Sequence, residues 1–295
     1  MVTTITTVTV PKEKAKPAGL GNPKDEQEHL VGGRALVERT QAFVEDPNVD
    51  EMINWGAGPG KGRGLPADVA EEWNKNGMGT HGLFTVLEPA DLELYRSYIS
   101  EPLSMPEKPE VSVILVDYHR GNPVTRYQEG WIMVKAKAPT GKEGWLSVSV
   151  PVPTLLMCYM GIAWGIPKYV ADEMTVTPAK AEVKYEGEVR LSLELTPGAV
   201  VDEEDLKKRG MFGMDNAFTF HPKKDGGTCL INWFGRGGDG SRAGVVEWQT
   251  GMVKVYVRPQ DPWAGLIPAG SSTSGIYQRV IPVGGGDFVW QKVKV

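Results

Sequence analysis

Lys168 is the residue in this sequence whose surroundings most favour chemistry. It follows a Gly-Ile-Pro turn in the segment 161-GIAWGIPKYVADEM-174, and every residue from Leu146 to Pro167 is uncharged. A lysine amine attacks a carbonyl carbon only after it has lost its proton, and burial in apolar surroundings favours the neutral amine. The run 155-LLMCYMGIAWGIP-167 is apolar enough to form such surroundings. The alternative is a surface lysine that follows a buried strand.

Glu129 is the second candidate for chemistry. In 127-YQEGWIMVKAK-137 it lies two positions before Trp131, and therefore on the same face of the strand that this segment predicts. A carboxylate beside a reactive amine can carry protons to and from the reacting atoms. The alternative is a solvated carboxylate at the edge of the strand.

No other catalytic or cofactor-binding pattern stands out. The four histidines, His29, His81, His119 and His221, show no metal-site spacing, and no Gly-X-Ser-X-Gly motif indicates a hydrolase. The glycine-rich string 56-GAGPGKGRG-64 departs from both the Walker pattern and the dinucleotide-binding pattern, so we interpret it as an ordinary loop. We therefore expect neither a metal ion nor a cofactor.

Composition narrows the class of protein. Of the 295 residues, 41% are hydrophobic and 23% are charged, as in a soluble globular protein with a sizeable core. The formal net charge of -5 and the lack of a basic cluster argue against nucleic-acid binding. Cys158 and Cys229 form no close pair and are expected to be reduced core thiols. No signal peptide or membrane-spanning apolar stretch is recognisable, so we expect a cytoplasmic protein without membrane association.

Short β-rich segments must position the two candidate residues. From about residue 110 onward, segments rich in β-branched and aromatic residues are separated by Gly, Pro, Asp or Asn, and no helical pattern intervenes. They are VSVILVDYH, GWIMVKAKA, GWLSVSVPV, EVKYEGEVRLSLEL, AFTFHP, TCLINWF, VVEWQ and MVKVYVRP. This pattern predicts a mainly β (α+β) fold, with antiparallel sheet closed into a barrel or packed as a sandwich and a few peripheral helices.

Helical patterns are confined to the earlier part of the chain. Residues 34–45, 67–76 and 89–100 each place apolar side chains at helical spacing or follow a helix-start signal. The strand pattern continues without a recognisable linker. We therefore expect residues 1–79 to form an N-terminal arm and helical extension, and residues 80–295 to form a single β domain.

Two motifs in this order resemble those of the acetoacetate decarboxylase family. They are YQE at 127–129, opening a predicted strand, and GIPK at 165–168, ending an apolar run. The likeness covers roughly residues 80–290. It continues in order through 101-EPL-103, 112-SVILVDYH-119, 217-AFTFHPKKDGGTCLIN-232 and 261-DPWAGLIPAGSSTSGIYQRVIPV-283.

The resemblance implies both a fold and a mechanism. The fold is mostly antiparallel β-sheet closed into a cone-like barrel, in a homo-oligomer that needs no cofactor. The mechanism is a Schiff base between a buried lysine and the carbonyl of a small-molecule substrate, with the protonated imine acting as an electron sink. By this match Lys168 is the Schiff-base lysine and Glu129 is the neighbouring acid/base.

The sequence also departs from the family pattern at three polar positions. Tyr169 replaces a second lysine, His81 stands where an arginine binds the substrate carboxylate, and Ile114 replaces a glutamate. Tyr277, in 275-GIYQR-279, is a candidate for a polar contribution from the C-terminal segment. These four residues are the expected substrate contacts. Their chemistry favours a larger, less charged carbonyl compound over acetoacetate.

Three functions remain open from the sequence. The first is a Schiff-base carbon–carbon lyase that performs decarboxylation or aldol-type cleavage. The second is a hydrolase of the carbon–carbon bond of a cyclic or 1,3-diketone, in which Lys168 acts by charge or proton transfer. The third is a non-catalytic protein that binds a hydrophobic carbonyl ligand.

Overall fold

One fourteen-stranded sheet dominates the computed structural model, which describes residues 41–46, 53–54, 78–120, 127–198, 216–236, 244–282 and 287–293. The strands are β1 Ile53–Asn54, β2 Met78–Leu87, β3 Val111–Arg120, β4 Tyr127–Lys137, β5 Glu143–Val152, β6 Lys168–Val170, β7 Glu173–Val176, β8 Lys180–Tyr185, β9 Glu188–Pro197, β10 Ala217–Pro222, β11 Thr228–Arg236, β12 Gly244–Val257, β13 Ser272–Pro282 and β14 Asp287–Lys292. The prediction of a mainly β fold with few helices is confirmed.

The sheet is mixed and open. Its order is β1-β14-β11-β10-β5-β4-β3-β2-β13-β12-β9-β8-β7, with β6 added beside β5. Pairing is antiparallel except between β5 and β10 and between β5 and β6, which are parallel. The expected closed barrel is therefore not confirmed, because among the described strands the ladder ends at β1 on one side and at β7 on the other.

The edge strand β7 packs across the sheet and does not pair with β1. Met174 of β7 belongs to the same buried cluster as Leu83 of β2 and Leu115 of β3. The ring nitrogen Nε2 of His81 on β2 also lies 3.3 Å from the carbonyl oxygen of Val176 on β7. The sheet thus curls over its own apolar side chains, which buries them without hydrogen bonds between the two edges.

Both faces of strands β2 to β5 are buried. One face, here called the core face, carries Leu83, Leu115 and Ile132 and looks into the main hydrophobic cluster. The other carries Phe84, Ile114, Trp131 and Met133 and packs against a second cluster that includes residues of a helix. We call it the helix-covered face. Since successive side chains on a strand alternate in direction, each residue of these strands is assigned to a face by its position.

Helix α1, Leu92–Tyr98, forms where the sequence predicts a helix at 89–100. Asp91 is its N-cap, and its side chain accepts hydrogen bonds from the backbone N–H groups of Glu93 at 2.8 Å and Leu94 at 2.9 Å. Tyr95 is fully buried, and its hydroxyl donates to the carbonyl oxygen of Glu110 at 3.2 Å. The cap stabilises the first turn of the helix, and the buried Tyr95 holds the helix against the start of β3.

Helix α2, Leu155–Ala163, was not predicted, because only strands were expected after residue 110. Thr154 begins it by accepting a hydrogen bond from the N–H of Met157 at 3.3 Å. Leu, Met and Ala favour helix, but the segment is apolar throughout and therefore shows neither the helical nor the strand period. Helix α2 packs on the helix-covered face of the sheet, beside Lys168.

Two pieces of the predicted N-terminal region join the C-terminal strands. Phe43 and Val44 are buried, and the ammonium group of Lys292 donates to the carbonyl oxygen of Val44 at 2.9 Å. Residues 41–45 are helical, as the prediction for 34–45 requires of its final turn, and β1 pairs with β14. The predicted helix at 67–76 and the loop at 56–64 lie outside the described residues.

His221 should make the stability of the fold depend on pH. Burial lowers the pKa of His221 to about 4, and its Nε2 lies 3.0 Å from the Thr219 hydroxyl. In the unfolded chain the pKa returns to about 6.5, so between these values the unfolded state binds more protons. The contribution is therefore complete above pH 6.5 and is lost as the pH falls toward 4. Between pH 7.5 and pH 5 we expect a loss of about 2 kcal/mol in the free energy of unfolding.

Urea unfolding of the wild type and of His221→Gln at both pH values measures this contribution. Other titrating groups affect both proteins alike, so the variant should lose less stability than the wild type on acidification. An equal loss in the two proteins would mean that His221 is not held neutral by burial.

Candidate active site

Lys168 and Glu129 form a buried ion pair on the helix-covered face. The ammonium Nζ of Lys168 contacts Oε1 of Glu129, and the two side chains are only 6% and 2% exposed. The Trp131 ring lies on the same face of β4, with its centroid 5.9 Å from Nζ. The structure thus brings together the two residues whose chemistry the sequence singled out. An amine beside a carboxylate under apolar cover can supply both a nucleophile and a proton carrier.

The Gly-Ile-Pro turn holds Lys168 in this position. Gly165 has a φ of 71°, and a Cβ atom there would lie 2.3 Å from the carbonyl oxygen of Phe220 on β10. Only glycine fits such a turn. The carbonyl oxygen of Pro167 accepts a hydrogen bond from the N–H of Val150 at 3.1 Å, after which β6 continues parallel to β5. The turn therefore delivers Lys168 onto the same face as Val150 and Glu129.

Helix α2 closes directly over the lysine side chain. A Cβ atom at Gly161 would lie 2.0 Å from Cδ and 2.3 Å from Cε of Lys168, so the lysine stem crosses the helix at its one residue without a side chain in this turn. Cys158, one turn earlier, donates from Sγ to the carbonyl oxygen of Lys168 at 3.4 Å. Burial raises the pKa of the Cys158 thiol, and the nearby Lys168 charge opposes that rise.

Cys158 lies beside the site, whereas its sequence context predicts only a buried core thiol. Cys158 and Gly161 are three residues apart, which places them on one face of a helix. The spacing of three residues is visible in the sequence, but it indicates a shared face only if the segment is known to be a helix. Both Cys158 and Cys229 are buried free thiols.

Replacing Gly161 with alanine should displace the lysine. The new methyl group would overlap the Lys168 methylenes, so the amine must leave its place beside Glu129 even though alanine favours the helix. We expect trapping of a ketone on Lys168 by borohydride to slow by about a hundredfold, because small displacements of a reacting group are costly. Tyr159→Ala, at a side chain that is 75% exposed on the same helix, is the control and should trap normally. Normal trapping by Gly161→Ala would contradict the packing described.

Tyr169 points away from Lys168. The guanidinium carbon of Arg190 lies 5.5 Å from the Tyr169 ring centroid and 5.0 Å from that of Tyr185, so the cation lies against two aromatic rings that themselves meet edge to face. Arg190 is held in turn by a buried ion pair with Asp261. Burial raises the pKa of the Tyr169 hydroxyl, and the Arg190 charge opposes that rise. The Tyr169 ring therefore packs on the side of β6 opposite to the Lys168 side chain.

His81 and Tyr277 also lie on the core face. Their rings contact each other, with centroids 6.2 Å apart, and Tyr277 packs against the main hydrophobic cluster. Ile114, in contrast, is on the helix-covered face and is paired in register with Trp131. Of the expected substrate contacts, the structure therefore brings only Ile114 to the same face as Lys168 and Glu129.

Among the described residues, no three His, Cys, Asp or Glu side chains come together in a way that could hold a metal ion. No helix in that part of the chain is long and apolar enough to cross a membrane.

Comparison with known proteins identifies the family. The model of the acetoacetate decarboxylase (ADC) family matches residues 78–293. No curated protein matches this chain. An acetoacetate decarboxylase-like enzyme from Sphingomonas wittichii RW1 superposes with a TM-score of 0.51 at 14% identity, covering 74% of this chain and 91% of that chain. The enduracididine biosynthesis enzyme MppR, complexed with pyruvate, gives a TM-score of 0.53 at 12% identity, covering 74% of this chain and 89% of that one.

A third solved structure points the same way. The acetoacetate decarboxylase from Legionella pneumophila subsp. pneumophila str. Philadelphia 1 superposes with a TM-score of 0.51 at 16% identity, covering 74% of this chain and 85% of that chain. At these identities the superpositions show a shared fold and nothing finer. The family match spans most of the chain, from β2 to the end of β14. The chain therefore belongs to the acetoacetate decarboxylase family.

Proposed function

We propose that this protein is a carbon–carbon lyase that works through a Schiff base on Lys168. The observation that carries the proposal is the buried pair of Lys168 and Glu129 under helix α2. The amine adds to the carbonyl carbon of the substrate, and loss of water from the adduct leaves an imine. Once protonated, the imine draws in the electron pair of an adjacent carbon–carbon bond as that bond breaks.

Glu129 is the proton carrier in this scheme. In the proposed first step the Lys168 ammonium group passes a proton to the Glu129 carboxylate that it contacts, which converts the ion pair into two neutral groups. The amine is then free to attack. The same carboxyl group can return the proton as water leaves, which regenerates the carboxylate. Glu129 then takes up a second proton, from the hydroxyl group of an aldol-type substrate or from water after decarboxylation, and delivers it to the carbon from which the departing group was lost. Hydrolysis of the remaining imine releases the product and restores Lys168.

Decarboxylation and aldol-type cleavage both fit this chemistry. The first leaves carbon dioxide and the second leaves an aldehyde or ketone, but each needs the same protonated imine. Relatives on this fold include acetoacetate decarboxylases and MppR, which has been crystallised with the condensation product of pyruvate and imidazole 4-carboxaldehyde. For this chain we propose aldol-type cleavage ahead of decarboxylation, because decarboxylation requires a carboxylate beside the reacting carbonyl and the apolar side chains around Lys168 do not favour one there.

The substrate is an uncharged carbonyl compound larger than acetoacetate. The face around Lys168 carries Ile114, Trp131 and Met133, which are buried and apolar or aromatic. The position that corresponds to the family's carboxylate-binding arginine holds His81, and its side chain is on the other face of the sheet. Nothing in this arrangement favours a substrate carboxylate near the reacting carbon.

Turnover of a panel of β-hydroxy ketones, β-diketones and β-keto acids tests the proposed function. Cleavage should release an aldehyde, ketone or carbon dioxide, and Lys168→Arg should abolish it because a guanidinium group forms no imine. Residual turnover by Lys168→Arg, with a carboxylic acid formed from a diketone, would instead indicate the hydrolase. Binding of the compounds without any turnover would indicate a non-catalytic protein.

A further inference from the structure

A single row of residues crosses the helix-covered face at the level of Glu129. In register, Gln278 of β13 pairs with Gly82 of β2, Gly82 pairs with Val116 of β3, and Val116 pairs with Glu129 of β4. All four positions share one face, because Ile276, Phe84, Ile114 and Trp131, each two residues away from a member of the row, belong to the helix-covered cluster. The row thus has a polar residue at each end.

The two residues in the middle of the row are small and apolar. Gly82 has no side chain and Val116 has a short one, whereas the next row carries the bulkier Phe84, Ile114 and Trp131. Three strand spacings separate the Cα atoms of Gln278 and Glu129, which is about 14 Å in a flat sheet and less in a curled one. If the side chains of Gln278 and Glu129 extend toward each other, the distance between the amide and the carboxylate is about the length of a chain of a few carbon atoms.

Gln278 suits one kind of ligand group. Its side chain is only 2% exposed, so it lies in the buried layer with Glu129 and Lys168 and not at the surface. An amide can donate to and accept from an uncharged oxygen but has no charge to offer a carboxylate. The C-terminal strand was expected to supply a polar contact through Tyr277, yet alternation along β13 presents the next residue to this face.

We propose that Gln278 binds a second, uncharged oxygen of the substrate, a few carbon atoms away from the carbonyl that reacts with Lys168. The inference rests on the proposed function and narrows its substrate to neutral hydroxy-, alkoxy- or oxo-substituted carbonyl compounds. Glu129 and Lys168 act on the reacting carbonyl at one end of the row. The amide of Gln278 fixes the other end and so sets the length and the polarity of the molecule that is accepted.

Three ketones of matched length test the proposal by borohydride trapping on Lys168. They are 2-heptanone, 5-methoxypentan-2-one, which replaces one methylene by an oxygen, and 5-oxohexanoate, which carries a carboxylate. With the wild type, half-maximal trapping should need about tenfold less of the methoxy ketone than of 2-heptanone, as expected for one hydrogen bond in a buried site. The carboxylate probe should trap less well than the methoxy ketone.

Gln278→Leu should remove the preference for the methoxy ketone over 2-heptanone while still trapping both. Gln278→Met, closer in length, serves if the leucine variant fails to fold. Gln128→Leu is the matched control, because Gln128 precedes Glu129 in sequence but donates to Asp117 on the core face, at 3.3 Å. It should keep the wild-type preference.

The outcomes separate this inference from the proposed function. If ketones trap on Lys168 and Gln278→Leu keeps the wild-type preference, the role of Gln278 is wrong and the Schiff-base function stands. A wild type that does not distinguish the methoxy ketone from 2-heptanone overturns the role of Gln278 as well. If no ketone traps on Lys168 in any variant, both proposals fall.

Discussion

Replacing Lys168 with methionine should reduce turnover of any carbonyl substrate by at least about a thousandfold, as expected when a covalent nucleophile is removed. Methionine preserves much of the length of the stem that crosses Gly161 but has no amine. The lost step is formation of the imine, which requires the Lys168 amine. The measurement is the rate of product release at saturating substrate, compared with that of the wild type.

Lys168→Arg is the matched control for charge. It keeps a cation for Glu129, yet its guanidinium group forms no Schiff base. Both variants should be inactive. An arginine variant that retained a tenth or more of the wild-type rate would show that only the charge of Lys168 is needed, and the lyase mechanism would have to be abandoned.

The same methionine substitution should also be the most destabilising single change at the site. Glu129 is 2% exposed, so removal of the Lys168 ammonium group leaves its carboxylate buried without the cation. Removing one partner of a buried ion pair costs about 3–5 kcal/mol, much of it from burial of the charge that remains. Urea unfolding at pH 7 should therefore show a large decrease in the free energy of unfolding.

The double variant Lys168→Met/Glu129→Leu separates charge from packing. With both charged groups gone, the site is apolar, and most of the lost stability should return, as it does when buried ion pairs are replaced by hydrophobic residues. The double variant should be folded and still inactive, which also shows that inactivity does not come from unfolding. If it were less stable than Lys168→Met, the pair would owe its stability to packing and not to charge compensation.

The strands could be predicted from the sequence because their pattern is local. Strands β3, β4 and β10 alternate or enrich β-branched and aromatic residues between turn residues, and the structure has them at those places. Helix α2 could not be predicted, because an entirely apolar segment has no period to distinguish helix from strand. The open, mixed sheet could not be predicted from the sequence either, because the parallel pairing of β5 with β10 joins segments that are far apart in the chain.

The reacting residues of the candidate site could be predicted from the sequence, but the residues that face them could not. Lys168 and Glu129 were identified by residue type and by family motifs, and the structure places them in contact. To predict the substrate contacts, one must know which face of the sheet each side chain occupies. Successive residues on a strand occupy opposite faces, so an error of one position gives the wrong face. His81 and Tyr277 thus fall on the core face, whereas Gln278, the neighbour of Tyr277, belongs to the face of the site.

Reduction with borohydride in the presence of a turned-over ketone tests the central claim most directly. Peptide mass spectrometry of the trapped wild type should find one added substrate, joined to Lys168 through a reduced carbon–nitrogen bond, together with loss of activity. Lys168→Arg should carry no adduct under the same conditions. A ketone that is turned over but leaves Lys168 unmodified after reduction would contradict the Schiff-base mechanism.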